Sequence, residues 1–184
     1  MYTTLNKIRE KGPYVPDWAK LLKSLNKTEA DDEPLSIISI IDSNGIFDAI
    51  WCLRAVEGHD KEIRLFAVEI ARDVQHLMTD PSSIAALDAS ERFAHGELSI
   101  KKLSVARDAA LASNRYANKD AWAAGMAAVR AADRDAGVAV MAVAWDAAWA
   151  SEIASSGTAW YTARAAQEKR LRWVCESIKK KEKL

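Results

Sequence analysis

Three observations predict an all-α fold. Apolar residues recur at i, i+3, i+4 and i+7 in one segment after another, helix caps and breakers separate those segments, and no period-two alternation bounded by turn residues occurs anywhere. The one β-prone stretch, 36–41, is too short and too well capped to compete. Helices of this length joined by short turns favour antiparallel neighbours. The expected architecture is about eight such helices in a bundle or, preferably, a stacked and slightly curved array. No standard repeat signature is present, which excludes tetratricopeptide and ankyrin arrays.

The elements follow in order. Asn6–Lys11 reads as a short helix stopped by Gly12-Pro13. Pro16 suits a first helical turn, ahead of Trp18, Leu21, Leu22 and Leu25 on one face. The acidic run Glu29, Asp31, Asp32, Glu33 precedes Pro34 and a helix over 34–43, so its charges fall where the helix dipole favours them. Asp42-Ser43-Asn44-Gly45 reads as a turn, with Asp42 or Ser43 capping a helix over 46–56. Asp60 is placed to cap a long helix to about 78, with Ile63, Phe66, Ala67, Ile70, Ala71, Val74, Leu77 and Met78 on its apolar face. Asp80-Pro81 opens a helix that Gly96 ends.

The texture then changes. All four prolines lie in the first 81 residues, and 24 of the 68 residues from Lys101 to Glu168 are alanine, the best helix former and one that lets helices approach closely. Helices are expected at 99–114, 119–135, 138–154 and 158–181, broken at 114–118, at Gly137 and at 155–157. Trp122, Met126 and Val129, then Met141, Trp145 and Trp149, then Trp160, Arg164, Leu171 and Val174, recur at helical spacing and read as large knobs packed into an alanine floor. The two textures, 1–98 and 99–184, are expected to form one continuous domain.

With 184 residues the chain is long enough to bury its own core, and 26 basic against 26 acidic side chains give no net pull on polyanions or polycations. The balance hides an asymmetry: residues 1–100 carry 11 basic and 17 acidic groups, residues 101–184 carry 15 and 9. Lys169, Arg170, Arg172, Lys179, Lys180, Lys181 and Lys183 account for much of the positive excess, and cations suit the negative end of a helix. No secretory signal or membrane-length apolar run is read, so the cytoplasm is the expected address.

Catalytic chemistry finds little support in the pattern. Glu69, Asp73 and His76, at offsets of 4 and 3, share a face that suits a metal ligand set or a general base, yet with Glu62 one turn earlier they describe a solvated stripe. Cys52 and His59 form a conceivable nucleophilic pair, but Cys52 lies between Trp51 and Leu53 on an apolar helix, where a thiol is inert. Cys175, like Cys52, reads as a small buried hydrophobe. His59 and His95 sit beside turns. No nucleophile elbow, phosphate-cradling glycine loop or C-x-x-C pair occurs. The seven tryptophans are read as core, not as a stacking platform for bases. No enzyme, cofactor or metal site is therefore expected.

Residues 30–97, followed by the alanine- and tryptophan-rich tail, resemble a family of immunity proteins found in tailed-phage and prophage genomes and in bacterial toxin–immunity loci. The strings at 42–45, 51–56, 58–65 and 77–81 carry the likeness: Asp-Ser-Asn-Gly, Trp-Cys-Leu-Arg-Ala-Val, Gly-His-Asp-Lys-Glu-Ile-Arg-Leu and Leu-Met-Thr-Asp-Pro. The tail has fewer Asp-Ala-Ala-Arg-like repeats than such relatives would show. The resemblance implies a small non-enzymatic antagonist of a toxin or of a host defence effector such as a CRISPR complex, and it brings no catalytic residues. Partner contact is expected at Asp60, Glu62, Glu69, Asp73 and His76 and at Lys169, Arg170, Lys179, Lys180 and Lys181. Direct nucleic-acid binding and membrane association are not expected, and a homodimer stays open. The rival reading is a structural or scaffold phage protein that assembles through its alanine-rich helices.

Overall fold

A computed structural model describes residues 1–155 and 158–181, the side chains of Tyr116 and Lys181 excepted. Within those residues the protein is all-α, with ten α-helices, against about eight expected, and one two-residue pairing of extended segments. The chain divides into two compact units, residues 1–59 with 168–184 and residues 60–167. The compositional boundary at 98/99 falls inside the second unit.

In the first unit, β1 (Tyr2–Thr3) pairs antiparallel with β2 (Leu35–Ser36), and Ile37 N–H extends the ladder by donating to the Met1 carbonyl at 3.2 Å. This pairing corrects the helix expected from 34: Leu35 and Ser36 are held extended by the N-terminal strand, and Ser36 becomes the cap whose hydroxyl accepts from Ile38 N–H. The helices are α1 (Leu5–Glu10), α2 (Val15–Ser24), α3 (Ile37–Asn44) and α4 (Ile46–Cys52), the last continued by a 3₁₀ turn at Leu53–Ala55. Asp42 and Ser43 lie inside α3 and do not cap α4. Gly45, at φ +99°, makes the break alone, a conformation that a residue with a Cβ adopts only under strain. Asn44 secures the corner by donating to the Asp17 carbonyl at 2.9 Å and the Asp48 carboxylate at 2.8 Å. Leu5, Ile8, Ile37, Ile40, Ile50 and Leu53 form a core of large aliphatics, all fully buried.

The second unit contains α5 (Asp60–Asp73), α6 (Pro81–Ala94), α7 (Ile100–Ser113), α8 (Lys119–Ala131), α9 (Ala136–Ala154) and the first part of α10 (Ala159–Lys181). Asp80 caps α6 as expected, accepting from Ser82 N–H at 2.7 Å. That bond holds the Asp80 carboxyl below the usual carboxylate range. Helix α5 stops five residues early, at Asp73, and a 3₁₀ turn covers Gln75–Leu77. Gly137 is not a break. It lies in the first turn of α9, and Asp135 caps that helix by accepting from Val138 N–H at 3.0 Å. Of the break expected at 155–157, Ser155 closes α9, and residues 156 and 157 lie outside the described residues.

The most extensive helix contact is α8 against α9. Both helices bury alanine: Ala123, Ala124, Ala127 and Ala128 on α8 and Ala144, Ala148 and Ala150 on α9 have no exposure. Small side chains let two helices pack at close range over a long length, which explains the alanine-rich composition. Gly125 takes the principle further, since a Cβ there would lie 2.3 Å from Asn114 Oδ1, while the Asn114 amide donates to the Trp122 carbonyl at 2.8 Å.

Arg64 is the main buried ion of this unit, 3% exposed on a face where the sequence pattern placed no charge. Its guanidinium donates to the carbonyls of Ala131 (3.1 Å), Asp133 (2.6 Å) and Arg134 (2.7 Å) and lies 4.9 Å from the centre of the Phe93 ring. It therefore closes the C-terminus of α8, where the dipole favours a cation and the last carbonyls have no helical donor. Burial depresses its pKa, and Asp133 opposes that effect.

Candidate interaction surface

The polar residues singled out on α5 divide into two groups. Asp60, in the first helical turn, and Glu69 and Asp73 are exposed, and Glu62 is half-buried, as suits a solvated stripe. His76 is exposed but does not belong to that stripe, because α5 has ended before it and the 3₁₀ turn changes the angular spacing that the offset of 3 assumed. Among the described residues, no group of three His, Cys, Asp or Glu side chains is placed to hold a metal ion. Cys52 is 3% exposed and burial pushes its thiol up to about 12, so the thiolate needed for nucleophilic attack is suppressed. Burial raises the Cys175 thiol as well.

The tryptophans correct the sequence reading most sharply. Trp122, Trp145, Trp149 and Trp173 are 44%, 48%, 47% and 62% exposed, so the knobs point away from the alanine floor. Helical spacing had placed them on common faces, but the faces are outward ones. Among the other expected knobs, Met126 and Met141 are half-buried, while Val129, Arg164, Leu171 and Val174 are buried.

On α10, beyond residue 168, Lys169, Trp173, Glu176 and Lys180 follow at offsets of 4, 3 and 4 and form one exposed row, with Lys179 exposed on its flank. Leu171, Val174, Cys175 and Ile178 occupy the opposite side and are buried in the first unit. Arg172 fixes the helix there by donating to Asp42 at 2.7 Å and pairing with Glu168 at 2.9 Å. Arg170 is half-buried at the edge of the row, and the side chain of Lys181 lies outside the described residues, as do 182–184. Three of the five basic residues expected to meet a partner are thus exposed on one side of a helix, around an indole that sequence reasoning had assigned to the core. The signal that would have found it is local: Trp173 falls between lysines at Lys169 and Lys180, whereas the buried positions of this helix beyond residue 168 are Leu171, Val174, Cys175 and Ile178.

In the second unit, Trp145 packs edge-on against Trp160, with ring centroids 4.9 Å apart and planes at 76°. Helix α9 is long and apolar enough by composition to cross a membrane, and half of it is buried inside the protein. Asp146 is its buried charge, 8% exposed and paired with Arg130; burial raises its carboxyl and Arg130 opposes the rise.

No family model matches the chain, and neither a curated protein nor a solved structure matches it.

Proposed function

We propose that this protein is a non-enzymatic inhibitor that binds and neutralises another protein, as a phage counter-defence or toxin-immunity factor. The observation that carries the reading is the α10 row, in which an indole 62% exposed stands between Lys169 and Lys180. Tryptophan is enriched among residues that dominate binding energy, because it desolvates a large rigid surface at little conformational cost. Flanking cations steer an acidic partner and set the register of docking. The implied partner surface is acidic, with an apolar slot for the ring. The polar stripe of α5, with Asp60, Glu62, Glu69 and Asp73, is a second surface of the same reading, and the likeness of residues 30–97 to immunity proteins supports it. The cytoplasm, where toxins and defence effectors act, is the proposed site of action.

The rival reading, assembly through the alanine-rich helices, cannot use the alanine faces themselves, because Ala123, Ala124, Ala127 and Ala128 of α8 and Ala144, Ala148 and Ala150 of α9 are already buried within the unit.

The test compares wild type with Trp173→Ala and with the double variant Lys169→Glu/Lys180→Glu. Wild type should capture one protein from host lysate at fixed stoichiometry and abolish its activity at equimolar ratio. Trp173→Ala should weaken capture about thirtyfold or more. The charge reversals should slow association and remove its salt dependence. Capture that both sets leave unchanged refutes this surface, and capture without loss of the target's activity refutes inhibition.

A further inference from the structure

From α9 we infer a second interaction surface, a two-fold seam that joins two copies of this chain. At about 100° per residue, Val138, Met141, Ala142, Trp145, Trp149, Glu152 and Ile153 fall within an arc of about 120°. Each is exposed or half-buried, while Val140, Val143, Ala144, Ala147, Ala148 and Ala150 are buried on the other side. The outward face of this helix is therefore apolar, as the buried one is, whereas the outward face of an ordinary amphipathic helix is polar.

Its area suits a stable contact. Val138, Trp145, Trp149 and Ile153 are 55%, 48%, 47% and 36% exposed, which for side chains of about 150–250 Å² amounts to roughly 400 Å². A standard interface buries about 800 Å² per partner, of which somewhat more than half is apolar. One helix face thus supplies most of the apolar share of one protomer.

The electrostatics select a second copy as the occupant. A two-fold contact presses a patch against itself, so any net charge on the patch repels its own image. Helix α9 has no lysine or arginine, Asp146 is buried against Arg130, and the Glu152 carboxylate, the one charge on the arc, accepts from Trp160 N–H at 2.9 Å. The whole chain is neutral as well, with 26 charges of each sign. Such a face offers little to steer an unlike charged partner, and its single carboxylate, engaged by the first turn of α10, leaves little to repel a like one.

The spacing also matches large to small. Antiparallel packing of two α9 helices about an axis between positions 145 and 146 sets Ala142 opposite Trp149 of the second copy and Val138 opposite Ile153. Trp145 of each copy meets near the axis. The Ala142–Trp149 pair, repeated by the two-fold on either side of the axis, sets a knob over a hole as close helix packing requires.

This inference does not rest on the inhibitor reading, and sedimentation velocity on the full chain tests it. Wild type should sediment at twice 20.3 kDa at micromolar concentration. Trp149→Glu and, at the other end of the arc, Val138→Glu should each raise the dimer dissociation constant about thirtyfold or more with helical circular dichroism unchanged. Trp173→Glu on α10 should leave the dimer intact while impairing partner capture, which separates failure of the seam from failure of the inhibitor surface. A monomer at about 100 µM (an association weaker than about 5.5 kcal/mol), or a dimer indifferent to both folded α9 variants, overturns the proposal. So does binding of the wild-type monomer to phosphatidylcholine vesicles that Trp149→Glu abolishes, which would assign the face to a lipid surface.

Discussion

The first unit and the α8 and α9 helices of the second solve the packing problem in opposite ways. The first buries large aliphatics, with Leu5, Ile8, Ile37, Ile40, Ile50 and Leu53 inside and Tyr14 and Val15 outside at 71% and 74% exposure. In the second, the buried residues of α8 and α9 are mostly alanines, and Trp122, Trp145 and Trp149 face out. Leucine or isoleucine fills space between helices held apart, whereas alanine removes the space by letting the helices close. Leucine and isoleucine are therefore buried or half-buried throughout the described residues of the first unit, whereas the tryptophans of α8 and α9 face out. The second arrangement leaves large aromatic surfaces free for recognition.

Truncation and enlargement should have opposite consequences in the two regions. The largest effect is expected in the first unit: Ile50→Ala removes a side chain with no exposure and should cost about 2–5 kcal/mol in urea unfolding, through lost burial and a cavity. In the second unit the damaging change is the reverse one. Ala144→Leu inserts volume where none is free and should cost about 1–3 kcal/mol by the same assay. A cost below about 0.5 kcal/mol for that enlargement would break the comparison, since alanine would then not be setting the helix separation.

Gly125→Ala sharpens the point. Helix propensity alone predicts a gain of about 1 kcal/mol. The new methyl would displace the buried Asn114 amide from the Trp122 carbonyl, at about 1–3 kcal/mol, so a net loss of about 1 kcal/mol is expected. Trp149→Ala, despite deleting the largest side chain of any of these variants, should cost the monomer only about 1–2 kcal/mol, less than Ile50→Ala, because the residue is already 47% exposed.

The smallest effect concerns pH. The folded-state pKa of Asp80 is lowered by its bond from Ser82 N–H, so its contribution is complete above the unfolded carboxylate value and lost as pH falls through the folded one. Asp80→Asn keeps a capping oxygen without the charge. Its stability relative to wild type should therefore improve as the pH is lowered from 5 to 3 (roughly the window around the free carboxylate value), which a series of urea midpoints would read.

Much of the helical framework was legible. The Asp80-Pro81 cap, the Gly96 stop and the period of α5 are local signals, since the capping oxygen and the donors it satisfies lie within three residues of each other. The errors arose where distant residues intervened. Leu35 and Ser36 are extended because Tyr2 and Thr3 pair with them, and Arg64 is buried because the open carbonyls of α8, nearly seventy residues later, receive it. The exposed row on α10 was half visible, as its lysines were identified and its tryptophan was not.

What the sequence determined by itself is where the backbone coils: caps, breakers and period act within one or two turns, and neighbours along the chain supply all the chemistry they need. It also determined which side chains share a helical face, because 3.6 residues per turn is a property of the helix alone. Which of those faces turns inward was decided only by tertiary structure. Two faces of one helix compete for burial, and in α8 and α9 the alanine-rich faces are the buried ones, because small side chains permit the closest approach of two backbones, a gain that exists only once a neighbouring helix is in place.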